Sequence, residues 1–196
     1  MVIIRSHSKI RLLSLGVALA AVAMTLGACG EDAGNPESEL TLAEATARLP
    51  DAPAPLRRVR AQANQLLPGG TRAFEERVND LRGYPIVVNK WASWCGPCRL
   101  EFPNFQRAAI EYGDRIGFLG VDSNDAVAPA KTYLRELPLP YPSYLDPDSE
   151  IASLIKAPSA FPATAFLDRR GRLVHLKQGV YSTRQELIAD IERWAR

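Results

Sequence analysis

Two cysteines separated only by Gly96 and Pro97 follow the strand-like run Ile86-Val87-Val88-Asn89-Lys90-Trp91 and precede Arg99-Leu100-Glu101-Phe102-Pro103-Asn104-Phe105. The first run reads as a buried strand and the second as a helix, so Cys95 and Cys98 fall on a strand-to-helix junction. A helix start leaves backbone N–H groups unpaired and carries the positive end of the helix dipole, which favours a thiolate at Cys95. Three positions apart, the two sulfurs can close a disulfide over one turn or stand open as a dithiol. Either way the junction has the chemistry of thiol–disulfide exchange.

The start of the chain reads as an address. Arg5, Lys9 and Arg11 form a positive region without acids, and residues 12–26 are mainly apolar. That run is short for a membrane span and fits the core of a secretory signal, placed at 1–28. It ends in Leu26-Gly27-Ala28-Cys29, similar to a bacterial lipobox, in which the cysteine after the cut carries lipid. Ordinary cleavage near Ala28 would instead leave Cys29 as a free thiol. Of the three cysteines, lipidation at Cys29 leaves only Cys95 and Cys98, so no disulfide framework remains to staple the fold. The whole chain carries +2, and loss of the three leader cations leaves −1. A near-neutral body argues against a nucleic-acid partner.

Residues 29–55 are rich in Glu, Asp, Gly and Pro, with few large apolar groups, and read as a lipidated terminus and tether; 41–49 is a candidate short helix. Residues 56–196 suffice for one domain. Its expected order is a helix over 56–67 stopping at Pro68-Gly69-Gly70 and a second, capped by Thr71, to 81. A strand over 85–91, a helix over 96–112, a strand over 116–121 and a helix over 126–137 come next. After Pro138-Leu139-Pro140-Tyr141-Pro142 follow the apolar run 143–145, a brief helix over 148–155, a hairpin pairing 163–167 with 173–177, and a closing amphipathic helix over 183–194. This is an α/β fold with a mixed sheet.

The run from Val87 to Pro103, the Val121-Asp122 strand end, Phe161-Pro162-Ala163-Thr164 and Phe166-Leu167-Asp168 with Gly171 resemble the thioredoxin superfamily. Within it they are most similar to the exported thiol–disulfide oxidoreductases of TlpA/ResA type, over about residues 71–196. The resemblance implies a thioredoxin-like mixed β-sheet flanked by helices, with a TlpA/ResA-type insertion between 126 and 155. It implies Cys95 as the nucleophile at an exposed helix tip, its pKa lowered from about 8.5 towards about 7, and Cys98 as the resolving thiol. Gly96 admits a partner chain, and Pro97 suits the first turn, where a missing N–H costs nothing. Pro162 matches the family's cis-proline, whose bond lets Phe161 offer its N–H and C=O to an extended substrate. Pro103 matches a helix-kinking proline.

Two positions bear on proton transfer. Thioredoxins carry a buried Asp six residues before the first cysteine; Asn89 stands there. Glu101, three residues after Cys98 on one helix face, resembles the glutamate that ResA-like proteins use to tune their thiols. Lys90 replaces the usual aromatic or aliphatic residue, and its ammonium is expected to reach water over an apolar stem. Trp94 is expected to touch partners, and Trp91 to shield the thiols or join the core.

The rival chemistries fit less well. A zinc site needs four ligands, and beyond the motif only His175 and Cys29 remain once His7 leaves with the leader. Haem attachment needs a histidine where Arg99 stands, and a Sco-type copper chaperone a wider cysteine spacing. A peroxide reductase would need a lone peroxidatic cysteine, and a purely structural Cys95–Cys98 bond in a binding lipoprotein would close too small a loop to add much stability. No metal and no cofactor is expected. The expectation is a lipid-anchored monomer on the outer side of a bacterial cell membrane. It would exchange disulfides with cysteine-containing exported proteins and with an upstream membrane electron donor or acceptor. The reductive direction, tied to cytochrome c maturation, is favoured over disulfide formation.

Overall fold

The computed structural model describes Ala43 and residues 52–196. The leader, Cys29 and nearly all of the tether lie outside them; Ala43, within the candidate helix at 41–49, is helical. The chain runs α1 (Ala54–Arg60), β1 (Leu66–Leu67), α2 (Gly70–Asp80), β2 (Ile86–Trp91), α3 (Gly96–Tyr112), β3 (Gly117–Ser123), then α4 (Val127–Glu136) and β4 (Ser143–Asp146). It ends with α5 (Glu150–Leu154), β5 (Ala163–Leu167), β6 (Leu173–Gln178) and α6 (Arg184–Trp194). The six strands form one sheet in the order β1-β4-β3-β2-β5-β6. β2 runs parallel to β3 and antiparallel to β5, and the β5–β6 hairpin closes one side. This is the mixed, helix-flanked α/β sheet expected.

β2 lies at the centre because every one of its six residues is buried, as a strand covered on both faces requires. β3 is buried along its whole length beside it. Under α3 and α4 the core is aromatic: Trp91, Phe102 and Tyr133 meet with ring centroids 4.9–5.4 Å apart. Trp91 is therefore core.

The insertion does more than add a helix. Its second half, β4, pairs with β3 on one side and with the edge strand β1 on the other. Gly120 on β3 makes this close approach possible. A Cβ there would stand 2.1 Å from Ser143 Oγ and 3.1 Å from Trp91 Nε1. Across the bare glycine the Trp91 indole donates to Ser143 Oγ at 3.1 Å, tying β2 to β4 over the intervening strand.

Several boundaries differ from expectation. The helix expected over 56–67 starts at Ala54 and ends at Arg60, and Leu66–Leu67 pair instead with β4. Asn64 takes a left-handed conformation (φ 60°) and uses its side chain on Leu134 O and Leu139 N, so tertiary bonding overrides local helix preference. Ala52, assigned to the tether, is buried in the core. Thr71 caps nothing: α2 starts one residue earlier, behind Gly69 at φ 107°. Thr183 does cap α6, accepting Glu186 N–H at 3.2 Å.

Gly120→Ala places a methyl group where Ser143 and Trp91 meet. Overpacking of this kind costs about 1–3 kcal/mol, so the thermal midpoint of the oxidised protein should fall, whereas Gly96→Ala, with open space around its Cβ position, should leave it nearly unchanged.

Candidate active site

β2 delivers the chain to the start of α3, and Cys95 is the residue that caps that helix. Its backbone is extended, and its sulfur accepts Cys98 N–H at 3.1 Å, the place an Asp or Ser oxygen fills in other helices. Gly96 and Pro97 form the first turn, where Pro97 forfeits no hydrogen bond. Cys95 and Cys98 are joined in a disulfide, with Cα atoms 5.3 Å apart. Pro103 lies within α3, which continues through it to Tyr112.

The expectation of an exposed nucleophile needs correction for this oxidised state. Cys95 keeps 4% of its surface and Cys98 none. The Cys95 sulfur is bonded to Cys98 and meets its N–H over the first turn of α3. To solvent the site presents the intervening Gly96 and Pro97 and, 56% exposed, Trp94. Its indole donates to Asn124 O at 2.9 Å, and its ring lies 4.6 Å from that of Phe161. Ser93, just before it, is pinned by Asp125, which accepts both its N–H and its hydroxyl.

The Phe161–Pro162 bond is cis. Ala163 is registered opposite Lys90, which brings Pro162 to the end of β2 from which the cysteines follow. The N–H and C=O of Phe161 make no hydrogen bond to any described residue.

Asn89 lies on β2 beneath α3, and Glu101 projects from the buried face of α3 towards it; both are almost wholly buried. Glu101 Oε1 accepts from Asn89 Nδ2 at 2.8 Å and Oε2 accepts Tyr181 N–H at 3.0 Å. These bonds, with the charge of Lys177, favour the carboxylate, but burial outweighs them and pushes the Glu101 pKa up to about 7. A second buried acid, Asp122 at the end of β3, has no donor for either oxygen among the described residues. Burial foremost, then the charge of Asp125, its side-chain hydrogen bond and the charge of Asp146, push it up to about 8. A protonated Asp122 can donate to Asp125, which in turn holds Ser93.

Lys90 contradicts its expected place in water. It is fully buried, because β2 is covered on both faces and leaves its ammonium no exit. Its Nζ donates instead to the carbonyls of Ala157, Pro158 and Ala160. His175 stacks on Trp194 at 4.5 Å, and no group of three or more His, Cys, Asp and Glu among the described residues is placed to hold a metal ion.

Of the residues singled out in the sequence, Cys95, Gly96, Pro97, Cys98, Asn89 and Glu101 come together around the start of α3. Trp94, Phe161 and Pro162 form its rim. Three contributors escaped sequence reasoning: the Tyr181 N–H that holds Glu101, the Asp122–Asp125 pair, and the inward Lys90. The first is a backbone group without a sequence signal. Lys90 could have been suspected from a cation within an otherwise buried strand.

A family model described as the AhpC/TSA family matches residues 65–176. The chain is 30% identical over 106 residues to the thiol-disulfide oxidoreductase ResA of Oceanobacillus iheyensis, covering 53% of this chain and 54% of that protein. It is 36% identical over 102 residues to the thiol:disulfide interchange protein DsbE of Pseudomonas aeruginosa, covering 52% and 54%. The chain thus spans about half the length of the curated relatives it matches. Among solved structures, MTB dsbF is similar at a TM-score of 0.54 and 25% identity, over 59% of this chain and 84% of that one.

The pH dependence of stability follows from Glu101. With its native pKa raised from 4.5 to about 7, the folded protein binds the proton more tightly than the unfolded chain. Below pH 4.5 the group costs nothing; as pH climbs towards 7 stability is lost, on the order of 3 kcal/mol once both states are ionised. Asp122 acts in the same direction up to about 8. In the oxidised protein, where neither thiol titrates, denaturant unfolding should show a decline from pH 5 to 8, and Glu101→Gln should flatten its lower half.

Proposed function

Because the chain belongs to the AhpC/TSA family, with more than half of its length matched, we propose that it is an extracytoplasmic thiol–disulfide oxidoreductase. It acts on cysteine-containing exported proteins through Cys95 and Cys98. The observation that carries this reading is a cysteine pair at a helix start, with Cys95 sulfur already paired to a helix N–H and, at the same end of the sheet, the Phe161 backbone, unpaired among the described residues.

In the reductive direction Cys95 thiolate attacks a target disulfide, forming a Cys95–target bond and releasing the first target thiolate. Cys98, one turn along, then attacks Cys95 sulfur; the second target thiolate leaves and the enzyme disulfide closes. The N–H groups that start α3 stabilise the attacking thiolate. Glu101 is the group we assign to receive the Cys98 proton. A carboxyl poised near 7 suits that task better than one at the ordinary value, since it exchanges protons near working pH. An upstream membrane donor returns two electrons to the disulfide.

Gly96-Pro97 between the cysteines supports the reductive end of a range that runs from about −270 to about −120 mV in this fold. The resemblance to ResA-type proteins points to cytochrome c maturation as the setting. The Leu26-Gly27-Ala28-Cys29 sequence supports lipid anchoring at Cys29, with 29–55 as the tether to the domain. No helix among the described residues is long and apolar enough to cross a membrane.

The reading is tested by trapping. Cys98→Ser in the native host should accumulate mixed disulfides that a reductant dissolves and that Cys95→Ser/Cys98→Ser lacks; absence of any such adduct would refute exchange at Cys95. Titration of the pair against glutathione should give a potential near the reducing end, and Cys29→Ser should move the protein out of the membrane fraction.

A further inference from the structure

The carbonyls bonded by Lys90 lie in the segment that leads into Phe161. Lys156 enters it in a left-handed conformation (φ 64°), and residues 157–161 form neither helix nor strand. Ala157 N–H is held by Ala152 O, but from 158 to 161 no backbone hydrogen bond is made to another backbone group among the described residues. Their restraint comes from β2. Lys90 Nζ donates to Ala157 O at 2.9 Å, Pro158 O at 3.3 Å and Ala160 O at 2.9 Å, using all three hydrogens of an ammonium. The same nitrogen stands 3.5 Å from the centre of the Phe161 ring, a cation–π contact, and Phe161 packs on Trp94 beside Cys95.

An apolar side chain would fill this interior position and leave three carbonyls without a donor. The charge is also served without a direct ion pair. Asp146, the carboxylate that acts on Lys90, is itself bonded to Ser123 Oγ and to the N–H groups of Ile151 and Ala152. Burial lowers the lysine to about 8, which still leaves it protonated at neutral pH.

We infer that Lys90 is a positioning residue for substrate recognition: from beneath, it fixes 157–161 and the Phe161–Trp94 pair. The N–H and C=O of Phe161, unbonded among the described residues, are then held ready for an extended polypeptide at Cys95, and polypeptide disulfides are favoured over small ones. The inference rests on the exchange reading above and adds the residue that gives it a preference for chains.

Two disulfides with the same leaving group separate backbone recognition from sulfur reactivity. One is 5,5′-dithiobis(2-nitrobenzoate). The other is an extended peptide whose single cysteine is joined to 2-nitro-5-thiobenzoate. With reduced protein, Cys95 thiolate attacks the peptide sulfur, thionitrobenzoate leaves, and Cys98 then displaces the peptide thiolate as the enzyme disulfide forms; two electrons pass from dithiol to probe. Wild type should prefer the peptide. Lys90→Met should lower the peptide rate constant about tenfold, as misplacement of a docking segment does, while the rate with the small reagent stays within about twofold. Lys90→Leu is measured beside it, with circular dichroism to establish folding. Equal losses on both probes, no loss on the peptide, or failure of both variants to fold would assign Lys90 to stability alone and overturn the inference. A wild type that prefers the small reagent overturns it too, leaving exchange intact, whereas a wild type inert to both refutes exchange and this inference together.

Discussion

A strand buried on both faces has nowhere to send a polar side chain except into another part of the protein, and β2 carries two in succession. Alternation along the strand points Asn89 and Lys90 to opposite faces. Asn89 turns under α3 and meets Glu101; Lys90 turns the other way and meets the carbonyls before Phe161. Each demand for a partner is met by a different element, and both elements border the disulfide. The strand that delivers the cysteines therefore also fixes the floor beneath them and the rim beside them.

The site gathers groups that burial keeps near their uncharged forms. Glu101 and Asp122 are acids pushed well above their ordinary range, and Lys90 is a base pushed below it. Each shift is driven first by removal from water, and each lowers the stability of the fold near neutral pH. Such arrangements cluster where proton transfer or recognition is required. In a domain with a continuous aromatic core under α3 and α4, that expense is tolerable.

Local pattern was enough to find much of this architecture. The strand before the cysteines, the helix after them, the β5–β6 hairpin and the closing amphipathic helix all follow from apolar runs, turn residues and helical periodicity that act over a few positions. What local pattern missed depends on distant partners. Leu66 and Leu67 read as a helix end, yet they pair with Ser143 and Tyr144 far along the chain. Lys90 reads as a snorkelling side chain until the segment before Phe161 is seen to lie over its face of the strand. Cys95 reads as exposed because the sequence marks a helix tip but not the packing that leaves it only 4% of its surface. At the site the motif residues were legible, and so were Asn89 and Trp94, which touch Glu101 and Phe161; the remaining supports, the Tyr181 N–H on Glu101 and the inward Lys90 ammonium on Phe161, depend on distant packing that no spacing rule identifies.

The inserted β4 also changes how the sheet meets its surroundings. It lies between β3 and β1, and β1, the border strand on that flank, has only two residues. A border that short offers few open backbone groups to an intruding chain, and natural sheets use such blunt margins against uncontrolled aggregation. Growth of the sheet on that flank is thereby discouraged, at the side opposite the β5–β6 hairpin and three strands away from the one that ends at the cysteines.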